Sequence, residues 1–499
     1  MRTPAFWVLL APVALTALVV ALFAGYLTFL APRSAAAIVL PLVAYAAAWL
    51  LLLRWWADPV ERRPAWLVAM AVAWGATVAV AVGAGSGYLL DDVLARSITP
   101  TFAAQWGAAL VAPTAEEAAK AAGVVLLLLA ARPYFTTAWS GAIYGAAVGV
   151  GFTAVEDAGY ALIAADEVLP DDAGAALRLA ALRFLVPGFT GHPLFTAAAG
   201  AGIAYAWLRA GRPRRRWAVL AAAVAGSWLM HFAVNSPLAV MAGEALTGLT
   251  GSGVFTGYLL VVALPAVPVL WWLAALRRHD AGVVLARAGA VDPAAIRPQD
   301  IAVLADVRSR RRAERDVRRE RGALAARAAR RLWRAQVRLA AAVSRPFRGY
   351  AAAGPGWLAP PVRRWRLEVY AARQALAGPE QPRLGADIAR QALAGPEQPR
   401  PGADAAPGSV TDGPGIIAPG RVAAARRAWP AALLLLLAIV GLAYWPVGVV
   451  AALAATGVAW WHWRRPGRMR RGLAAAVLAG WFCGYLWLVN SAVALLYPR

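Results

Sequence analysis

The sequence predicts an all-α polytopic membrane protein with about eleven transmembrane helices, and three observations lead to that prediction. Of the 499 residues, 61% are hydrophobic and only 15% are charged, whereas charged residues make up about 25% of an average soluble domain. Apolar runs of about 18 residues or more recur along the chain, and each is long enough to cross a bilayer. Arginines cluster between these runs in the alternating pattern that is typical of cytoplasmic loops.

Eight of the predicted spans form an N-terminal membrane domain over residues 1–276. Its arginine-rich loops at 54–63 and 209–216 are predicted to be cytoplasmic, and its acidic loops at 91–92 and 166–172 external. This alternation puts the N-terminus in the cytoplasm and the protein in the cell membrane. The spans are predicted at Ala5–Leu30, Ala35–Leu53, Ala65–Tyr88, Thr101–Ala131, Ala138–Ala165, Leu182–Leu208, Trp217–Met241 and Phe255–Leu276.

Residues 277–427 are predicted to form a basic cytoplasmic insertion, part helical and part disordered. Its first part is dense in arginine and alanine, which are strong helix formers, and Leu324, Leu332 and Leu339 give it a thin apolar stripe. Two interpretations of this helix stay open. It lies on the inner leaflet of the membrane, or it is a solvated helical linker.

The second part of the insertion is rich in proline and glycine. The segment ARQALAGPEQPR occurs at Ala372–Arg383 and again at Ala389–Arg400, which indicates a duplication within a disordered linker. The chain then returns to the membrane, and residues 428–499 are predicted to contain the last three spans.

The net charge of +24 is explained by the placement of the arginines beside membrane spans and in the insertion. Positive-inside topology and attraction of anionic lipid to the basic loop account for that placement, so we expect no nucleic-acid partner. The single cysteine, Cys483, excludes an intrachain disulfide and a thiolate metal cluster.

Ionisable side chains inside membrane spans are costly, and they are therefore candidates for function. Lys120 is the only lysine of the chain, and it lies inside an apolar segment. Spans four to seven each carry an acid or imidazole followed one helical turn later by a polar residue. The pairs are Glu116–Lys120 beside Glu117, Glu156–Tyr160 beside Asp157, His192–Thr196 and His231–Asn235.

The depth of these side chains in the bilayer predicts that they meet. Each of the four acids or imidazoles lies 15 to 19 residues from the nearest cytoplasmic marker of its span, which is about 22 to 29 Å along a helix. Side chains at one height on neighbouring helices can converge on a single site. Two alternatives without a functional site remain. The polar residues could only form hydrogen bonds between helices, and Asp157 could be solvated near the external interface.

Two imidazoles and several carboxylates could bind a divalent metal, and zinc is the ion that we expect. On this interpretation Glu156, His192 and His231 are the ligands. Glu116 or Glu117 is then the general base for a metal-bound water that ionises near neutral pH.

A metal-free site is the alternative that the residues leave open. One glutamate would activate water directly, and a histidine or Asn235 would stabilise the oxyanion. In both versions Lys120 neutralises one of the adjacent glutamates, because two buried anions side by side are costly.

The order EExxK, FxxxExxxY, HxxxT and HxxxN on four consecutive spans resembles the PrsW family of intramembrane proteases, relatives of the CAAX prenyl endopeptidases and bacteriocin-processing proteins. The resemblance covers about Ala103–Pro237 and implies a catalytic core at about residues 101–241. It implies a hydrolase, usually described as a metalloprotease, that cuts a membrane-anchored protein such as a regulator of the anti-sigma factor type. The family often has Asn where this chain has Asp157. The catalytic roles that it implies fall on Glu116, Glu117, Glu156, His192 and His231.

Two other functions stay open from the sequence. A proton- or ion-coupled transporter could use the same glutamates and histidines as a relay, although the chain shows no inverted repeat of the kind that many transporters contain. A non-catalytic scaffold could act through the basic insertion, and it predicts that the four motifs can be lost without consequence.

Overall fold

The computed structural model describes residues 4–57, 63–168, 171–185, 187–208, 213–238, 241, 252–344 and 360–377, and every regular element in these residues is helical. The predicted spans within 428–499, the proline- and glycine-rich linker and the second copy of the duplicated segment lie outside the described residues. The chain forms two compact units. One contains residues 1–49 and 65–270, and the other contains 50–64 and 271–413, each as far as it is described.

The first unit contains ten complete or nearly complete α-helices and the first part of an eleventh in its described residues. A π-helical turn at Gly75–Ala79 joins the third helix to the fourth, so that Ala65–Ser97 forms one long span. The helices are α1 Pro4–Leu30, α2 Pro32–Leu51, α3 Ala65–Trp74, α4 Val80–Ser97, α5 Pro100–Ala130, α6 Ala138–Val168, α7 Ala173–Leu185, α8 Pro187–Thr190, α9 His192–Leu208 and α10 Pro213–Asn235.

Six stretches of the described chain are long and apolar enough to cross a membrane, which makes this a multi-pass membrane protein. Helix α5 is as long as these stretches, but three charged side chains in its middle, at positions 116, 117 and 120, lower its hydropathy. The six stretches are Phe6–Leu30, Pro32–Leu51, Ala65–Ser97, Ala138–Ile163, Ala173–Leu208 and Pro213–Asn235.

Small residues let α6 approach its neighbours closely. Gly141, Gly145 and Gly149 recur every four residues and place the α6 backbone against α9, where a Cβ at Gly149 would lie 2.6 Å from the His192 carbonyl carbon. On another side of α6, Gly151 lies against the carbonyl group of Val72 in α3. Close backbone approach through small residues is the usual way in which membrane helices pack, and here it brings α6 beside the start of α9.

The sixth predicted span, Leu182–Leu208, is not one helix. The chain breaks between α7 and α9, where Pro187 begins the four-residue helix α8 and His192 begins α9. A bend at Gly191 separates α8 from α9, and the nearby Pro187 lacks the backbone N–H that a helix interior needs, so an interruption in this stretch is expected physically. As a result, His192 lies at a helix start rather than inside a continuous span.

The second unit, which we call the arginine-rich unit, contains α12 Pro298–Leu304, α13 Val307–Ser344, α14 Pro360–Ala377 and the last part of α11 Ser252–Val291. Gly322, with φ +82°, interrupts α13. Glu314 and Arg330, eight residues before and after it, form an ion pair at 3.0 Å, so the chain folds back on itself there. The buried core of the unit includes Leu285, Ile296, Leu304, Leu339 and Val369.

Neither interpretation of the arginine-rich helix is correct for its second half. Leu332 and Leu339 of the predicted stripe are buried in the unit's own core, whereas Leu324 is 75% exposed. The apolar face therefore packs against other helices of the same unit and not against a lipid surface or water.

Candidate active site

Helix α5 provides two adjacent glutamates and a lysine. Lys120 Nζ lies 3.1 Å from Glu116 Oε2 and 2.9 Å from Glu117 Oε1. The lysine side chain is completely buried, and both carboxylates are nearly so. Burying a charge is costly unless it is paired, and one ammonium between two carboxylates lets α5 carry three charged groups in apolar surroundings. The predicted pairing of Lys120 with the glutamates is confirmed.

His192, the first residue of α9, forms hydrogen bonds with side chains of both α5 and α6. Its Nδ1 lies 2.9 Å from Lys120 Nζ, and its Nε2 lies 2.8 Å from Glu156 Oε2. A lysine ammonium only donates hydrogen bonds, so Nδ1 accepts from Lys120 and the Nε2–H group donates to Glu156. The ammonium also lies 3.6 Å from the centre of the Phe152 ring. The three donors of Lys120 therefore go to two carboxylates and one imidazole.

His231 of α10 is oriented from both sides of its ring. Its Nδ1 lies 3.0 Å from Glu117 Oε1, and its Nε2 lies 3.2 Å from Asn235 Nδ2 and 3.8 Å from Glu116 Oε2. Ser227, one turn earlier on α10, donates to Glu117 Oε2 at 2.7 Å. Because Glu117 accepts only, Nδ1 carries the proton of the ring and the Nε2 lone pair accepts from the amide of Asn235.

The four sequence motifs therefore meet in one hydrogen-bonded network. It runs from Glu156 through His192, Lys120 and Glu117 to His231, and the two imidazole centroids are 4.7 Å apart. We call Glu116, Glu117, Lys120, Glu156, His192 and His231 the membrane site.

Asp157 is not solvated at an interface, contrary to the alternative raised from the sequence. It is only 2% exposed, and its Oδ1 lies 2.6 Å from Arg183 Nε of α7. The same guanidinium lies 3.9 Å from Glu156 Oε2 and 4.4 Å from the Tyr160 ring centroid. The break before α9 leaves α7 as a separate helix beside α6, and this places an arginine next to two adjacent carboxylates.

Two of the four pairs at one-turn spacing are not pairs in the structure. Thr196 is buried, and its hydroxyl forms no hydrogen bond with any residue that the structure describes, while His192 is turned toward Lys120 and Glu156. Tyr160 is 51% exposed and packs on Arg183. The spacing places two residues on one helix face, but the side-chain direction depends on the neighbouring helix.

Sequence reasoning missed Ser227 and Arg183. Ser227 lies four residues before His231, which is the same spacing that singled out Asn235 after it. Arg183 lies at the start of a predicted apolar span, where an ionisable residue is itself a signal.

Three side chains of the membrane site can hold a metal ion. One ligand atom each from Glu116, His192 and His231 lie within 4.8 Å of one another. The sequence assigned Glu156, and not Glu116, to this set. In the structure Glu156 accepts a hydrogen bond from His192 Nε2, and Glu117 accepts one from His231 Nδ1. Carboxylates usually orient histidine ligands in this way.

The donor set fits a divalent ion such as zinc, which takes histidine nitrogen and carboxylate oxygen. Each imidazole keeps one nitrogen that is not used by its carboxylate, Nδ1 in His192 and Nε2 in His231. Lys120 contacts Glu116 Oε2 and His192 Nδ1, so an ion would compete with its ammonium for these two atoms.

Comparison with known proteins agrees with this site. A family model described as PrsW family intramembrane metalloprotease matches residues 63–273, a range that contains α3 to α10 and the whole membrane site. No curated protein and no solved structure matches the chain. Over residues 63–273 the chain is therefore similar to the PrsW family of intramembrane proteases, and the resemblance predicted from the sequence is confirmed for this range.

Proposed function

We propose that the membrane site hydrolyses a peptide bond of a membrane-anchored protein, with Glu116 as the general base for the attacking water. One observation carries the choice of base. Both oxygens of Glu117 are engaged, Oε1 by Lys120 and His231 and Oε2 by Ser227. Glu116 Oε1 forms no hydrogen bond with the described residues, and it is free to accept a proton from water.

The other residues hold this base and the substrate carbonyl in place. Lys120 keeps the two glutamates together and compensates their charge. Glu117 and Glu156 orient His231 and His192. Asn235 donates one amide N–H to the Ala108 carbonyl and the other to His231 Nε2. If an ion takes Nε2, the second N–H can donate to the oxygen that becomes negative during attack.

Glu116 takes up one proton during the proposed reaction and gives it up before the reaction ends. Water loses a proton to this carboxylate as its oxygen bonds to the carbonyl carbon. The same proton then goes to the departing amine as the C–N bond breaks. The products are a new carboxyl end and a new amino end, and Glu116 returns to its starting state.

We propose zinc as the resident ion, held by His192, His231 and Oε2 of Glu116, so that Oε1 of the same carboxylate stays available as the base. Bound there, it would polarise the carbonyl and lower the energy needed to ionise water. The substrate that we propose is a membrane-anchored regulator of the anti-sigma factor type, and the location is the cell membrane with a cytoplasmic N-terminus.

The proposal is tested by comparing membrane proteomes of cells that contain the wild-type protein, Glu116→Gln or the control Asp92→Asn. Asp92 is a partly exposed acid of α4 that pairs with Arg96 outside the membrane site. We expect the uncut substrate to accumulate with Glu116→Gln, and the purified variant to cleave it about 10²- to 10⁴-fold more slowly. Asp92→Asn should behave as wild type.

Cleavage by purified Glu116→Gln at the wild-type rate would exclude this base. If neither the wild-type protein nor the variant changes the proteome, the transporter and scaffold alternatives gain support instead.

A further inference from the structure

Arg183 connects a separate helix to the membrane site. It lies on α7, and its guanidinium faces two adjacent carboxylates of α6, with Nε 2.6 Å from Asp157 Oδ1 and Nη2 3.9 Å from Glu156 Oε2. Glu156 Oε2 is also the atom that accepts from His192 at 2.8 Å. A single oxygen is thus shared between the guanidinium and the imidazole.

We infer that Arg183 is a positioning residue, which holds the Glu156 carboxylate toward His192 and thereby fixes the His192 ring. This inference rests on the proposed function, since it assigns Arg183 a part in the same reaction. It does not make Arg183 a catalytic residue, because the guanidinium contacts neither His192 nor the α5 glutamates in the structure.

The electrostatics of α6 explain why a cation is needed at this place. Glu156 and Asp157 are adjacent, and both are largely buried. Asp157 Oδ2 is buried and has no hydrogen-bond partner among the described residues, so within this part of the chain the carboxylate depends on its contact with Arg183. Without that guanidinium, two neighbouring anions would repel each other, and Glu156 would turn away from Asp157 and from its present contact with His192.

The position of Arg183 is fixed by contacts of α7 that do not involve the membrane site. Phe184, the next residue, stacks on Tyr45 of α2 with ring centroids 4.9 Å apart. At the other end of α7, Asp172 caps the helix, and Asp171 accepts from the backbone N–H groups of Arg33 and Ser34 at 3.1 and 2.7 Å. Helix α7 is therefore anchored to α2 and presents Arg183 to α6.

A purely structural role predicts a different result from a positioning role. If Arg183 only compensates the charge of Asp157, then the double variant Arg183→Gln/Asp157→Asn removes both the cation and the need for it, and activity returns. If Arg183 positions Glu156, the double variant regains stability but stays slow, because nothing holds the Glu156 carboxylate.

The experiment compares the purified full-length protein with Arg183→Gln, Arg183→Lys, the double variant and the control Arg178→Gln. Arg178 is the other arginine of α7, and it is exposed. Rates of substrate cleavage give kcat and KM separately, and thermal unfolding is followed in parallel. We expect Arg183→Gln and the double variant to lower kcat about 10- to 100-fold, the range for residues that orient a histidine ligand, with KM little changed.

Arg183→Lys should recover part of kcat, since it keeps the charge but lacks the planar fork that reaches two carboxylates. Arg178→Gln should match the wild type. Wild-type kcat in Arg183→Gln, or its recovery in the double variant, overturns the inference.

A second measurement does not depend on proteolysis. Diethyl pyrocarbonate modifies accessible histidines, and mass spectrometry of peptides reports His192 separately. A loosened His192 ring should react faster in Arg183→Gln and in the double variant than in the wild type or Arg178→Gln. Unchanged reactivity overturns the positioning role even if the wild-type protein cleaves nothing, a result that by itself would count only against the proposed function.

Discussion

The two units of the chain each bury an aspartate against an arginine, and the two pairs differ in how completely they are satisfied. In the arginine-rich unit, Asp292 Oδ2 lies 2.6 Å from Arg366 Nε, and its Oδ1 accepts from Tyr370 and from the backbone of Ala295. In the first unit, Asp157 Oδ1 lies 2.6 Å from Arg183 Nε, but Oδ2 has no hydrogen-bond partner in the described part of the chain. We call the Asp292 pair closed because both of its carboxylate oxygens are bonded, and the Asp157 pair open because only one is bonded within the described residues.

The surroundings of each pair explain the difference. Asp292 follows a helix end and joins α11 to α14, and burial together with its charge raises the pKa of Tyr370, which keeps that hydroxyl a donor. Arg183 is shared between Asp157 and Glu156, and Glu156 is shared in turn with His192. The Asp292–Arg366 pair therefore holds helices together. The shared contacts from Arg183 through Glu156 to His192 instead connect a helix to the reacting groups.

The same contrast separates the basic residues of the two units. Lys120 is completely buried and its three donors are used, while many arginines of α13 are exposed around an apolar core. Charge inside the membrane site must be paired because the surroundings are apolar. The exposed arginines of α13 face solvent, and we propose anionic lipid as their partner.

Removing the metal should have the largest effect, because it acts on the membrane site and not on the arginine-rich unit. We expect about one zinc ion per purified chain, loss of cleavage with a chelator, and recovery when zinc is added back. His192→Ala and His231→Ala should contain no zinc. His279→Ala, which changes an exposed histidine of the arginine-rich unit, should keep it.

The same measurement decides between the ligand sets from the sequence and from the structure. Glu156→Gln should still bind zinc, with affinity lowered about 10- to 100-fold because only the orientation of His192 suffers, whereas Glu116→Gln should lose more. Full activity at a zinc content near zero would exclude the metal-dependent mechanism for the membrane site.

A methyl group at Gly149 should lower activity by an intermediate amount. A Cβ there would lie 2.6 Å from the His192 carbonyl carbon and from Pro193 Cα, so Gly149→Ala must push the start of α9 away from α6. A misplacement of about 1 Å at a reacting centre can cost about 10²-fold in rate. Gly159→Ala is the matched control, because no atom of the described residues lies within 4 Å of a Cβ at that position of α6.

Equal cleavage rates for Gly149→Ala and Gly159→Ala would mean that the close contact of α6 with α9 does not set the position of His192. The comparison is sharpened by measuring zinc content as well, because a displaced His192 should weaken metal binding together with catalysis.

The sequence was sufficient to predict which residues form the membrane site, but not which of their side chains contact each other. Buried charges in a bilayer need partners, so Glu116, Lys120, His192 and His231 could be expected to meet, and they do. The orientation of Glu156 toward His192 depends on rotamers and on the helix that carries Arg183, which spacing along one helix does not reveal.

Backbone breaks were harder to predict than charges. A bend at Gly191 interrupts a span that reads as continuous in hydropathy, and Gly322 reverses a helix whose alanine and arginine content predicts continuity. In both places one residue overrides the propensity of its neighbours.

The smallest expected effect concerns Gly322 in the arginine-rich unit. Its φ of +82° and ψ of 178° belong to a region that only glycine adopts readily, so Gly322→Ala should cost about 1–3 kcal/mol. Hydrogen exchange of residues 323–344 in the full-length protein should accelerate, because the reversal that folds α13 back is weakened, while cleavage by the membrane site stays unchanged. Gly282→Ala in α11, where a Cβ meets nothing within 4 Å, is the matched control and should slow exchange slightly, since alanine favours helix by about 1 kcal/mol. Similar exchange in the two variants would show that the reversal at Gly322 does not hold this unit together. A parallel loss of cleavage in Gly322→Ala would contradict the separation of the two units on which the comparison depends.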